Sequence, residues 1–113
     1  MTKQEQLDMI LHEYEKACAK HPDFCYVFTD GSLSEIGKAL NFVRLKNKGP
    51  VANGNLILSE EILEAFEAYK LGEYDHTIQE LAQCGAVILR MMDFVIEEKL
   101  NEKQSCRAAV PII

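Results

Sequence analysis

Apolar residues recur at helical spacing in four stretches of the chain, and polar positions separate them. Leu7, Ile10, Leu11, Tyr14, Ala17 and Cys18 form the first stripe, because residues three and four apart share one helix face. Thr2 with Glu5 is a capping box ahead of it, and Pro22 predicts a stop near Lys20. Leu33, Ile36, Ala39, Leu40 and Val43 form a second stripe, opened by the capping box Ser32–Glu35 and ended near Asn47 and Gly49. Its outer side carries Lys38, Arg44, Lys46 and Lys48, which read as solvated. A third helix is expected over about residues 56–71, with Leu58, Ile62, Phe66 and Tyr69 on its stripe and Gly72 as its stop. The fourth is expected over about 76–100, capped by Asp75 or by Thr77 in a capping box with Glu80. From Leu81 to Ile96 it is apolar nearly all round, interrupted mainly by Gln83, Arg90 and Asp93.

Between these stretches, "PDFCYVFTDGS" has strand-like alternation but no partner strand elsewhere, so it reads as an ordered, aromatic-rich loop. Phe24, Tyr26 and Phe28 are expected to pack in the core rather than to stack on a base. "GPVANGN" is a turn-rich loop. The pattern predicts an all-α chain of about four helices, a single domain over 1–113 with a helix hairpin at its core. One small protomer cannot cover the apolar fourth helix, so an oligomeric bundle is expected, a homodimer or homotetramer. Gly85 inside that helix reads as a point of close helix–helix approach. The apolar tail "SCRAAVPII" is expected to dock on this subunit or a neighbour.

Composition narrows the function. The 113 residues are 48% hydrophobic and 27% charged, with a formal net charge of -6. That composition suits one globular domain. The acidic balance disfavours a nucleic-acid polymer as partner. No run of apolar residues is long enough to span a membrane, and "MTKQEQLDMI" lacks the apolar region of a signal peptide, so the expected compartment is the cytoplasm. Cys18, Cys25, Cys84 and Cys106 form no CxxC pair, which excludes a zinc ribbon; Cys18 and Cys84 read as small core residues.

The chemistry lies in "EEILEAFEAYKLGEYDHTIQELAQ", residues 60–83. Glu61 and Glu64 are three apart and leave one face of the third helix, with Glu67 continuing the row and Glu60 turned away by about 100° toward solvent. Glu80 stands near the start of the next helix, where a short turn can bring it toward them. A divalent cation held by oxygen ligands would offset the repulsion among these carboxylates. An ordinary solvated face would also explain the glutamates, with Glu80 as half of a cap. Lys70 and Arg90 are candidates to meet phosphates. Lys70 also suits a helix C-terminus, and Arg90 suits an interface or an ion pair with Asp93. Asp93 cannot join Glu80 at one site, lying about 20 Å further along the helix.

"EEILEAFEAY" followed by "QELAQCGAVILRMMDF" resembles the MazG-like all-α nucleoside triphosphate pyrophosphohydrolases, most strongly over 56–96. Their signature is EExxE on one helix and ExxD on the next. "EEILE" matches the first part, and "ELAQ" matches the second except at Gln83, where the family has Asp. The resemblance implies Mg2+, or Mn2+ in its place, held by Glu61, Glu64 and Glu80, with Gln83 at the fourth ligand position and Glu64 central to turnover. It implies cleavage of an NTP or dNTP to the monophosphate and pyrophosphate by an oligomer. Gln83 brings no charge to the set. A weakened or inactive nucleotide- or metal-binding relative, and a helical interaction protein without a metal site, are the alternatives.

Overall fold

In a computed structural model, the described chain runs from residue 1 to residue 109, with side chains described to residue 103. It is all-α. Four helices follow one another: α1 (Lys3–Lys20), α2 (Leu33–Asn47), α3 (Gly54–Lys70) and α4 (Tyr74–Ala109). The docking of the apolar tail and the place of Cys106 fall outside the described side chains.

Local chemistry sets the helix ends. Thr2 and Ser32 both cap reciprocally with a glutamate three residues on, which satisfies backbone donors that the first helical turn leaves unpaired. α3 ends in a paired turn: Glu73 N–H donates to Ala68 O at 2.9 Å and Gly72 N–H to Tyr69 O at 3.0 Å. This is a Schellman motif, whose turning residue sits in the left-handed region. Gly72 is that residue, at φ 75°.

The expected cap of α4 is corrected. The helix starts at Tyr74, and Thr77 lies inside it with its hydroxyl donating back to Glu73 O at 2.8 Å. Thr77 and Glu80 make no capping box, so Glu80 is released from that role. The helix also outruns its expected end near residue 100 and continues to Ala109.

The chain divides into two compact units. One holds Asp23–Ile88, and the other holds Met1–Pro22 with the chain from Leu89 onward. In the first, α2 lies against α3. Ile36, Leu40 and Val43 of α2, Ala65 and Ala68 of α3, and Thr77, Glu80 and Cys84 of α4 are buried. The inward line of α3 therefore runs through the two alanines, while the apolar stripe through Phe66 and Tyr69 is less buried. Phe28 packs edge-on to Phe66 at 5.5 Å and against Tyr69 at 4.6 Å between ring centroids, as expected of a core aromatic. Phe24 and Tyr26 do not, being almost fully exposed. Gly85 also departs from expectation: a Cβ there would meet nothing within 4 Å.

In the second unit, Gln6 of α1 is buried. Its amide donates to Asp93 Oδ1 at 2.7 Å, and Lys3 Nζ donates to both Asp93 oxygens at 2.8 and 2.9 Å. Asp93 thus pairs with α1 and not with Arg90. Cys18 is exposed rather than a core residue. Leu11 and Tyr14 of α1 and Phe94 and Val95 of α4 are exposed.

Candidate metal centre

The α3–α4 hairpin turns about Gly72, and its register decides which side chains meet. Glu64 and Glu80 stand eight residues before and after Gly72; Glu61 and Gln83 stand eleven before and after. In an antiparallel pair, residues at equal distance from the turn are neighbours. One ligand oxygen from each of Glu61, Glu64 and Glu80 lies within 4.8 Å of the others.

These carboxylates are partly withdrawn from water: Glu61 and Glu64 are half-buried and Glu80 is buried. Glu61 lies one turn before Ala65, and Glu64 one turn before Ala68, so the acids continue the buried line of α3. The Glu80 side chain is only 9% exposed. Burial pushes the Glu64 carboxyl up to about 7, with a hydrogen bond to Glu80 and the charges of Glu61, Glu80 and Glu60 adding to it. Glu61 is raised by burial and by Glu80. Buried Cys84 is raised by burial and then by the charges of Glu61 and Glu80. Two causes therefore act together: loss of water and like charge.

Gln83 faces the same point. With its amide nitrogen toward the acids it donates to Glu61 Oε2 at 2.7 Å and to Glu80 Oε2 at 3.2 Å. The reverse orientation would set its carbonyl oxygen against two carboxylates, which accept only.

Two residues outside the sequence expectation, Arg44 and His76, border the cluster, and Asn47 engages the neighbouring Glu60. Arg44, read as solvated, places Nη2 3.5 Å from Glu64 Oε1. His76 places Nε2 3.0 Å from Glu80 Oε1 and Nδ1 3.0 Å from Glu73 Oε2. Asn47 donates to Glu60 Oε1 at 3.1 Å, so Glu60 is engaged with α2 and half-buried rather than free in solvent. His76 stands at i+3 from Glu73 and at i−4 from Glu80, a signal present in the sequence. The pairing of Arg44 depends on how α2 lies on α3, and nothing in its spacing announces it.

Among the described residues, neither Lys70 nor Arg90 makes a hydrogen bond or ion pair with the cluster. Lys70 is exposed in the last turn of α3, about 9 Å along the axis from Glu64 and about 240° around it. Arg90 belongs to the other unit of the chain.

The donor set fits a hard divalent cation. Oxygens that share one Mg2+ at about 2.0–2.1 Å stand about 2.9 to 4.2 Å apart, and the three carboxylates offer oxygens within 4.8 Å of one another. Comparison of the chain with protein-family models, curated proteins and solved structures found no match.

Proposed function

We propose that this chain is a Mg2+-dependent nucleotide pyrophosphohydrolase of the MazG-like kind, cleaving an NTP or dNTP to the monophosphate and pyrophosphate. The observation that carries the reading is the convergence of Glu61, Glu64 and Glu80 on one point from two helices. The order EExxE then ExxQ, closed by a turn at Gly72, supports it from the sequence. Glu61, Glu64 and Glu80 would hold the cation. Bound there, Mg2+ (or Mn2+) would neutralise triphosphate charge and polarise the scissile phosphoanhydride.

The chain's own residues would do the rest. Water adds to phosphorus at the α–β bridge, its proton passes to Glu64, and the bridging P–O bond breaks to release pyrophosphate. In the metal-free chain burial and its neighbours raise the proton affinity of Glu64 to about 7; a cation held there would lower it and keep the carboxylate ionised, with its other oxygen left to accept the proton. Among the described residues Arg44, beside Glu64, is the cation best placed to meet a phosphate; Lys70 and Arg90 are the candidates that the sequence offers.

A second reading is favoured by Gln83. Its amide supplies hydrogen-bond donors where the family has a fourth carboxylate. A relative that binds nucleotide or metal without turning over would look this way. We further propose a homodimer or homotetramer, supported by exposed apolar residues on α1 and α4. No described helix is long and apolar enough to cross a membrane.

The test is pyrophosphate release from a panel of NTPs and dNTPs with Mg2+ or Mn2+. Release that is abolished in Glu64→Gln supports the enzyme. Binding without release, with release appearing in Gln83→Asp, supports the second reading. No release and no metal-dependent change in melting temperature overturns both.

A further inference from the structure

Glu73, His76, Glu80 and Gln83 are spaced by three, four and three residues, so they share one face of the α4 N-terminal segment. Glu80 is the most buried of the three clustered acids. A carboxylate that is nearly buried beside two others gains by rotating away from them, unless something holds it. Two groups do. His76 Nε2 lies 3.0 Å from Oε1, and the Gln83 amide donates to Oε2 at 3.2 Å. The imidazole is itself fixed from behind, its Nδ1 lying 3.0 Å from Glu73 Oε2. Glu73 sits at the turn just before Tyr74, the first residue of α4, so the relay is anchored at the hinge of the hairpin.

We propose that His76 is a positioning residue of the acidic centre. It holds Glu80 by Oε1, and Glu73 orients its ring, so that Glu80 faces Glu61 and Glu64 before a cation arrives. The inference rests on the metal reading given above. The bond to Glu80 takes only an Nε2 N–H; Glu73 adds its hold when Nδ1 carries a proton as well, because a carboxylate only accepts. Partners of this kind, outside the ligand set, set the aim of a ligand, and their loss weakens metal binding by about 10- to 100-fold. The chain's own spacing makes the relay local: no residue beyond Glu73–Gln83 is needed to build it.

Calorimetric titration of the full chain with Mn2+ alone, without nucleotide, tests this. His76→Ala is expected to weaken Mn2+ binding by about 10-fold or more. Glu73→Gln should weaken it less. His76→Gln, whose amide can still donate to Glu80, should recover most of the affinity. The melting temperature of each metal-free variant separates aim from fold. A fall shared by His76→Ala and His76→Gln, with unchanged Mn2+ affinity in both, would overturn the proposal. So would wild-type affinity in His76→Ala beside lost affinity in Glu80→Gln, an outcome that leaves the metal reading standing. Failure of the wild-type chain to bind Mn2+ overturns the metal reading and this inference together.

Discussion

The amide nitrogen of Gln83 donates to Oε2 of Glu61 across 2.7 Å, joining α4 to α3 at a point eleven residues either side of Gly72. The same amide reaches Glu80 at 3.2 Å. In the metal-free chain Gln83 is thus a strut between two acids. To act as a ligand its amide must rotate and present oxygen, giving up both hydrogen bonds.

Gln83→Asp should therefore move two quantities in opposite directions. Without metal, a fourth acid replaces two donated hydrogen bonds, and stability should fall by about 1 kcal/mol, the bonds being partly solvated. With metal, a fourth charged oxygen joins the set, and Mg2+ affinity should rise by about tenfold or more. Thermal melts with and without Mg2+ check both. A variant that melts as wild type and gains nothing from Mg2+ would remove Gln83 from the site.

The pH dependence of the metal-free chain has a definite sign. The folded Glu64 carboxyl keeps its proton up to about 7, against an ordinary value of 4.5. Between those values the folded state binds a proton that the unfolded state has lost. Stability from this group is complete below about 4.5 and declines as pH rises to about 7. Glu61, raised by burial and by Glu80, adds to that slope. His76 has the same sign, since Glu73 and Glu80 raise it and its contribution is lost as pH climbs through the raised value. Asp93 acts oppositely and in a more acid range. Lys3 and Gln6 lower it, so its contribution is lost only as pH falls through the lowered value. The melting temperature should fall between pH 5 and 7, and Glu64→Gln should flatten much of that fall. Mg2+ should stabilise more at pH 8 than at pH 5, because below about 7 it competes with a proton.

Much of the fold was legible because its signals are local. The capping boxes at Thr2 and Ser32 and the glycine stop at residue 72 depend on residues within a turn of each other, and all three stand where the spacing put them. The meeting of Glu61, Glu64 and Glu80 was legible for a related reason: a tight turn fixes the register of a hairpin. What failed was whatever depends on a third element. Arg44 looked solvated until α2 lay on α3. Cys18, Phe24 and Tyr26 carry core-like side chains, but no described residue covers them. The spacing on α4 pairs Asp93 with Arg90, whereas its partners Lys3 and Gln6 lie 90 and 87 residues away. Thr77 has cap-like spacing to Glu80, but the Schellman turn sets the start of α4 back at Tyr74, which the spacing alone does not reveal.

Gly72→Ala tests the turn on which that register depends. The position has φ 75°, and a Cβ meets nothing within 4 Å, so the cost is backbone strain alone. A left-handed alanine should destabilise the chain by about 1–2 kcal/mol. If the turn relaxes by changing register, Glu64 and Glu80 part, and Mn2+ affinity falls as well. Equilibrium denaturation with a parallel Mn2+ titration reads the two effects separately.

Ala65→Leu probes the floor beneath the acids. Ala65 is fully buried on α3, one turn after Glu61, where α3 lies against α2. Leucine adds three carbons to a filled position, and such overpacking costs about 1–3 kcal/mol. The strain is relieved by moving α3 away from its neighbours, which carries Glu61 and Glu64 with it. Cation binding should then weaken by more than the loss of fold stability explains. Ala52→Leu is the control: Ala52 is exposed in the α2–α3 loop, and the same added volume there should leave both quantities near wild type. Equal Mn2+ affinity in Ala65→Leu and wild type would show that the carboxylates do not depend on the packing beneath them.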